Sequence, residues 1–218
     1  MKIFKSKHKL QKAISTKKNI SFIPTMGGLH KGHISLIKKS KHFKGQSVVS
    51  IFVNPKQFDN KNNPEVHKKT TAVEILEQMD SNLDAFVAGV GTGGTISGVG
   101  SLLKSKLPNI KIIAVEPDEC PTLTSGKSAT HLIQGIGAGF IPNTLDQGSY
   151  DQIIRIKGKD AVRMTKNLAK NLGLFVGISA GANVLASIEL SKTMPPDTKI
   201  VTILCDTGER YLSTGIFS

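Results

Sequence analysis

The 218-residue sequence contains no tryptophan, two tyrosines and two cysteines. Cys120 and Cys205 stand 85 positions apart with no CxxC pair or Cys/His cluster near them. That spacing argues against a disulfide framework and against zinc, so reduced, structural thiols and no metal site are expected. No apolar run approaches the ~20 residues a bilayer span needs. The opening MKIFKSKHKL has lysines but no apolar segment behind them, so the expectation is a cytoplasmic chain without a membrane partner.

Acid is nearly missing from the first 60 residues, which hold 13 lysines against Asp59 alone, a charge of +12. Residues 61–218 carry only +1. A basic face attracts phosphate without reading sequence. The same 60 residues lack arginine, tyrosine and tryptophan, however, so bidentate forks are absent and stacking platforms scarce, and nucleic acid is not the expected partner. The 39% apolar content fits a soluble core, and a chain of this length can bury roughly 70% of its unfolded surface.

What is present is an alternation of short apolar runs and amphipathic stretches. Strands are expected at residues 19–26, 47–54, 85–90, 111–117, 152–157, 175–180 and 199–205. Helices are expected at 33–43, 67–80, 95–106, 159–173 and 181–192. This rhythm predicts an α/β fold with a mostly parallel sheet flanked by helices.

Glycine-rich turns are the candidate chemistry. In FVAGVGTGGTISGVG a strand runs into Gly91, Gly93 and Gly94 and then into a helix. Such a turn curls tightly, aims backbone N–H groups at an anion and adds the positive end of the helix dipole, which points to a phosphate site. Gly89, Gly91 and Gly94 also satisfy GxGxxG, and Glu116 ends the next strand where a dinucleotide enzyme keeps its ribose-binding acid. On pattern alone an NAD-dependent enzyme stands beside other phosphate binders.

Longer strings separate these readings. NPEVHKKTTAVEI, VAGVGTGGTISGVG, IIAVEP, IQGIGAGFIP, GLFVGISAGANV and ILCDTGERYLST occur in an order and spacing that resemble the pyridoxal-phosphate-dependent cysteine synthases over about residues 57–218. The resemblance implies the fold-type II architecture of those enzymes and displaces the NAD reading. It implies that Gly91, Thr92, Gly93, Gly94 and Thr95 cradle the cofactor phosphate, and that Thr207 faces the pyridine nitrogen with a neutral hydroxyl. Gly135 and Gly137 would belong to a flexible loop at the substrate entrance. The implied reaction is a β-replacement that converts O-acetylserine and sulfide to cysteine. The implied partner, besides small-molecule substrates, is the C-terminal tail of serine acetyltransferase. Two parts of that machinery should precede Gln57, namely the Schiff-base lysine in an SxKxR-like segment and a TSGNTG-like loop for the substrate carboxylate. Neither is found there, and loss of activity is the expectation.

Residues 1–59 resemble a different family. FIPTMGGLHKGHISLI followed by VVSIFVNPKQF is similar to the amino terminus of pantothenate synthetase, which joins pantoate to β-alanine using ATP. The resemblance implies a Rossmann-like nucleotidyltransferase fragment. His30 and His33 would stabilise ATP phosphate charge with its magnesium, Met26 would line the same site, and Gln57 would bind pantoate. That family's later ATP-binding lysine and aspartate, its second flexible loop and its C-terminal domain have no counterpart here. The expected organisation is a pantothenate synthetase-like fragment at 1–59 and a cysteine synthase-like region at 60–218, joined in a chimera near PKQFD. Three readings follow: an inactive cysteine synthase-like protein, an incomplete pantoate ligase, and a non-catalytic anion- or partner-binding remnant. Sheets that lack their native neighbours leave open edges, and self-association is expected.

Overall fold

The computed structural model describes residues 2–25, 31–51 and 55–217. They form two compact units, Met1–Asn54 and Pro55–Ser218.

In the first unit α1 (Lys7–Ile14) is capped by the Ser6 hydroxyl, which accepts from the Lys9 N–H at 3.2 Å. Then follow β1 (Ile20–Thr25), α2 (Lys31–Ser40) and β2 (Gln46–Ile51). The two strands pair in parallel, with Ile20 opposite Gln46 and Thr25 opposite Ile51. Ile23 and Thr25 are buried on one face, while Ile20 and Phe22 on the other remain exposed. The Thr25 hydroxyl donates to the Ser50 carbonyl at 2.6 Å, and the Ser40 and Ser47 hydroxyls meet at 2.7 Å.

The second unit opens with a 3-10 turn (Pro55–Phe58), then α3 (Asn62–Lys69), α4 (Thr71–Gln78), β3 (Ala85–Gly89), α5 (Gly94–Lys106), β4 (Lys111–Pro117) and the short α6 (Thr122–Ser125). It continues through β5 (Gln152–Ile156), α7 (Gly158–Leu172), α8 (Ile178–Ser191) and β6 (Ile200–Thr202). The four strands run parallel in the order β5-β4-β3-β6. Parallel strands covered on both faces read as unbroken apolar runs, as β3 and β4 do. Alternate residues serve opposite layers. Phe86, Ala88, Ile112 and Ala114 pack with Ile96, Val99 and Leu103 of α5. Ala85, Val87, Ile113 and Val115 pack with Ile178, Ala182 and Ala186 of α8. Burying a side chain such as Phe86 completely stabilises by about 1.5–3 kcal/mol.

Several expectations need correction. The helix expected over 67–80 is two helices, broken at Thr70, whose hydroxyl bonds back to the Val66 carbonyl at 2.9 Å while its backbone is distorted to φ −119° and ψ −77°. Hydroxyl groups that compete with the helix in this way mark breaks. The strand expected at 175–180 does not form. Gly173 adopts φ +68° and ends α7, α8 starts at Ile178, and only Val176 bridges to another extended residue, Thr207. A short apolar run cannot be assigned to strand or helix by periodicity alone, and here the helix takes its second half. The strand expected at 199–205 keeps only Ile200–Thr202 of its first half.

Candidate functional site

Parallel α/β sheets place their ligand sites beyond the carboxyl ends of the strands. At that edge β3 ends at Gly89 and the chain turns through Val90–Gly93 into α5. Gly93 has φ +84°, a left-handed conformation that side chains disfavour, and a Cβ there would lie 2.7 Å from Leu145. The first N–H groups of α5 have no carbonyl of their own helix to bond.

Side chains from other elements fix this turn. Asn63 of α3 donates through Nδ2 to the Thr92 hydroxyl at 2.9 Å, and the Gly94 N–H donates to the same oxygen at 3.3 Å. The Thr144 hydroxyl donates to the Thr92 carbonyl. The Thr95 hydroxyl lies 3.3 Å from His67 Nε2, and His67 Nδ1 lies 3.0 Å from the Thr71 hydroxyl. Burial holds the His67 imidazole below its usual pKa, favouring the neutral ring.

The loop carrying Gly135 and Gly137 closes on the same turn. The Gly137 N–H donates to the Val90 carbonyl at 3.0 Å, and a Cβ on Gly91 would collide with the Gly135 carbonyl. Thr207 stands past the end of β6, the strand beside β3, where the chain enters a 3-10 helix (Gly208–Thr214). Its side chain is exposed. The neighbouring Asp206 carboxylate accepts the Tyr211 hydroxyl at 2.6 Å; burial, reinforced by that carboxylate, raises the Tyr211 pKa. Asn183 of α8 is fully buried and donates to the Ile203 carbonyl at 2.9 Å, while its Oδ1 lacks a partner among the described residues.

The sheet thus gathers Gly91–Thr95, Gly135, Gly137 and Thr207 at one edge of the second unit. His33 lies in α2 of the first unit, and Gln57 lies in the 3-10 turn that opens the second. Met26 and His30 fall outside the described residues. Asn63 and His67 stand inside the NPEVHKKTTAVEI string, which by itself assigns neither of them a role. The available signal was Asn and His four positions apart, one helical turn, which puts both on one face.

Both cysteines are free. Cys120 is buried as expected, but Cys205 is exposed because β6 ends before reaching it. Although the residue as a whole is exposed, its sulfur lies against Asn183 and the Ile203 carbonyl, and that desolvation, opposed by a Ser179 hydrogen bond and reinforced by the Asp206 charge, raises the thiol pKa. No group of side chains able to hold a metal occurs among the described residues, and no described helix is long and apolar enough to cross a membrane.

Residues 48–206 match the family described as pyridoxal-phosphate dependent enzyme, and the chain belongs to that family. Its fold is that of the fold-type II pyridoxal-phosphate enzymes, with parallel sheets flanked by helices. The cysteine synthase of Staphylococcus aureus is 46% identical over 183 residues, covering 84% of this chain and 58% of that one. Cysteine synthase B of Campylobacter jejuni is 52% identical over 162 residues, covering 74% and 54%. The chain therefore spans little more than half the length of these relatives. The solved structure of O-ureido-L-serine synthase superposes with a TM-score of 0.78 at 32% identity, covering 91% of this chain and 68% of that one. Residues 2–86 match a second family, pantoate-beta-alanine ligase, which overlaps the first between residues 48 and 86.

The family implies pyridoxal phosphate, and the residues present fit its phosphate end. A helix N-terminus behind a left-handed glycine, two threonine hydroxyls and a turn too tight for a Cβ are a set of groups suited to an anion.

Proposed function

We propose that the second unit is a cysteine synthase-like pyridoxal-phosphate site that binds the cofactor through its phosphate and does not turn over O-acetylserine. The single observation that carries this reading is the Gly91–Thr95 turn, braced from α3 by Asn63 and His67. Gly91, Thr92, Gly93, Gly94 and Thr95 would hold the phosphate, Thr207 would face the ring nitrogen, and Gly135 and Gly137 would line the substrate side. When bound, pyridoxal phosphate supplies an electron sink for a carbanion. A neutral Thr207 hydroxyl at the ring nitrogen moderates that sink and suits loss of a β-substituent. This chain's own part is to place the phosphate, keep the ring nitrogen hydrogen-bonded and shield the site with the 135–140 loop. It offers no lysine before Gln57 in a context like the family's cofactor-anchoring one. The test is to incubate purified protein with pyridoxal phosphate, O-acetylserine and sulfide. The expected result is saturable cofactor binding without cysteine; cysteine formation with the visible band of a lysine-bound cofactor contradicts it.

A second reading is favoured by the pantoate-beta-alanine ligase match and by the strand-to-helix passage from β1 into α2 that carries His33. In it residues 1–59 are a fragment of that ligase, in which Met26, His30 and His33 would serve ATP and its magnesium and Gln57 would serve pantoate, and the whole chain is a chimera joined near PKQFD. ATP- and pantoate-dependent release of AMP, lost on His33→Ala, would establish it. Phosphate binding without either turnover, lost on Gly93→Asp, would leave the anion- or partner-binding remnant. Such a remnant could meet the C-terminal tail of serine acetyltransferase or a second copy of itself in the cytoplasm. An unbroken reading frame across the codons for PKQFD in one DNA molecule would make the fusion real.

A further inference from the structure

The α3 helix is placed by close packing along α5. A Cβ on Gly98 would strike the Pro64 carbonyl oxygen and lie 2.9 Å from His67 Cβ, so only glycine lets the two helix backbones approach this far. Asn63 and His67 stand one turn apart on α3, and each meets one threonine of the anion turn. The Thr92 oxygen already receives two donated hydrogens, from Asn63 Nδ2 and the Gly94 N–H. Its own hydrogen is thereby left to point elsewhere.

Thr95 has one such neighbour, the His67 ring, and here the tautomer decides. A neutral imidazole has one donor nitrogen and one acceptor nitrogen. With the proton on Nε2, the Thr71 hydroxyl donates to Nδ1, Nε2–H donates to the Thr95 oxygen, and the Thr95 hydrogen is free for an anion. With the proton on Nδ1, Nε2 accepts the Thr95 hydrogen and turns an oxygen lone pair toward the anion. The second arrangement sets a lone pair against negative charge where the first sets a donor. Resting on the phosphate-site reading above, we propose that His67 is a positioning residue that, as the Nε2–H tautomer with the Thr71 hydroxyl donating to its Nδ1, presents the Thr95 hydroxyl as a donor to the phosphate group. Thr71, which belongs to no part of the anion turn, thereby acts on the anion through two intervening side chains.

The test uses the full chain and inorganic phosphate, followed by calorimetry and by the ring ¹⁵N shifts of labelled histidine. Phosphate binding should raise the Nε2–H population of His67. His67→Leu and Thr71→Val should each weaken phosphate binding about tenfold, the usual scale for a hydrogen bond to a charged group. His67→Gln, whose amide can donate to the Thr95 oxygen, should stay within about threefold of the parent. A merely structural role predicts instead that His67→Gln and His67→Leu weaken binding alike, or that Thr71→Val leaves it unchanged, and either outcome overturns the proposal while the phosphate-site reading survives. The Nδ1–H tautomer in the phosphate-saturated protein overturns it as well. Parent protein that binds no phosphate overturns the site reading and the proposal with it. Thermal midpoints within a few degrees of the parent identify which variants are folded, and Thr71→Val, a near-isosteric change, decides if His67→Leu is not.

Discussion

The two units of this chain differ in how they bury apolar surface. Pro55–Ser218 contains two core layers on opposite faces of a four-stranded sheet, with Phe86, Ile96, Val99 and Ile112 fully enclosed. Among the described residues of Met1–Asn54, only Ile23, Thr25 and Ser40 are buried, while Phe22 is 59% and Ile51 65% exposed. A parallel pair of strands normally has neighbours and helices on both faces. The second unit has a hydrophobic core of its own; the first has two strands of a sheet that elsewhere would be wider. The charge contrast runs the same way, with nearly all of the net positive charge in the part that has least core to offset self-repulsion.

The largest expected effect tests this contrast directly. Phe86→Ala should destabilise the second unit by about 3–5 kcal/mol in denaturant unfolding, whereas Phe22→Ala should change stability by no more than about 0.5 kcal/mol. Equal costs would mean that the exposed face of β1 is covered in solution. Hydrogen exchange sharpens the same comparison, because amides of β3 and β4 should exchange only on global opening of the second unit while those of β1 and β2 exchange much earlier.

The sequence pattern located β4 to the residue, and nearly located β3, β5, α5 and α7, because each is an uninterrupted apolar or amphipathic stretch bounded by glycine, proline or charge. It could not resolve 175–180, where FVGISA satisfies strand propensity yet begins only two residues beyond the left-handed Gly173 and gives its second half to α8. The break at Thr70 was equally hidden, since it depends on one hydroxyl bonding back to Val66. At the candidate site the glycines and threonines of 91–95 were legible because their backbone demands are local. Asn63, His67 and Thr144 were not, because what joins them to that turn is tertiary packing across 29, 28 and 52 positions of chain.

Smaller effects follow from single groups in the second unit. Burial alone would raise the Asp151 carboxyl, but the Ile112 N–H and the Lys104 ammonium outweigh it and hold its pKa below the usual value. Asp151→Asn should cost about 1 kcal/mol above pH 5 and progressively less as acid protonates the parent carboxylate. For His67 the folded pKa is depressed, so the unfolded state takes up the proton first. Its contribution to stability is complete above pH 6.5 and falls as the pH drops below it; thermal midpoints of the parent and His67→Gln should therefore keep a constant separation above pH 6.5, with the parent losing ground below. Least of all, Cys205 should alkylate more slowly than a free thiol at pH 7, since its raised pKa leaves little thiolate; a rate equal to that of free cysteine would show the thiol to be unshielded.

The most direct test of the central claim is borohydride reduction of the protein saturated with pyridoxal phosphate, followed by peptide mass spectrometry on the parent and on Gly93→Asp. The phosphate-anchored account predicts saturable cofactor binding that is lost in Gly93→Asp, with no single lysine reduced stoichiometrically. A one-to-one adduct on one lysine that disappears in Gly93→Asp would contradict it, because the cofactor would then be held covalently as well as through its phosphate.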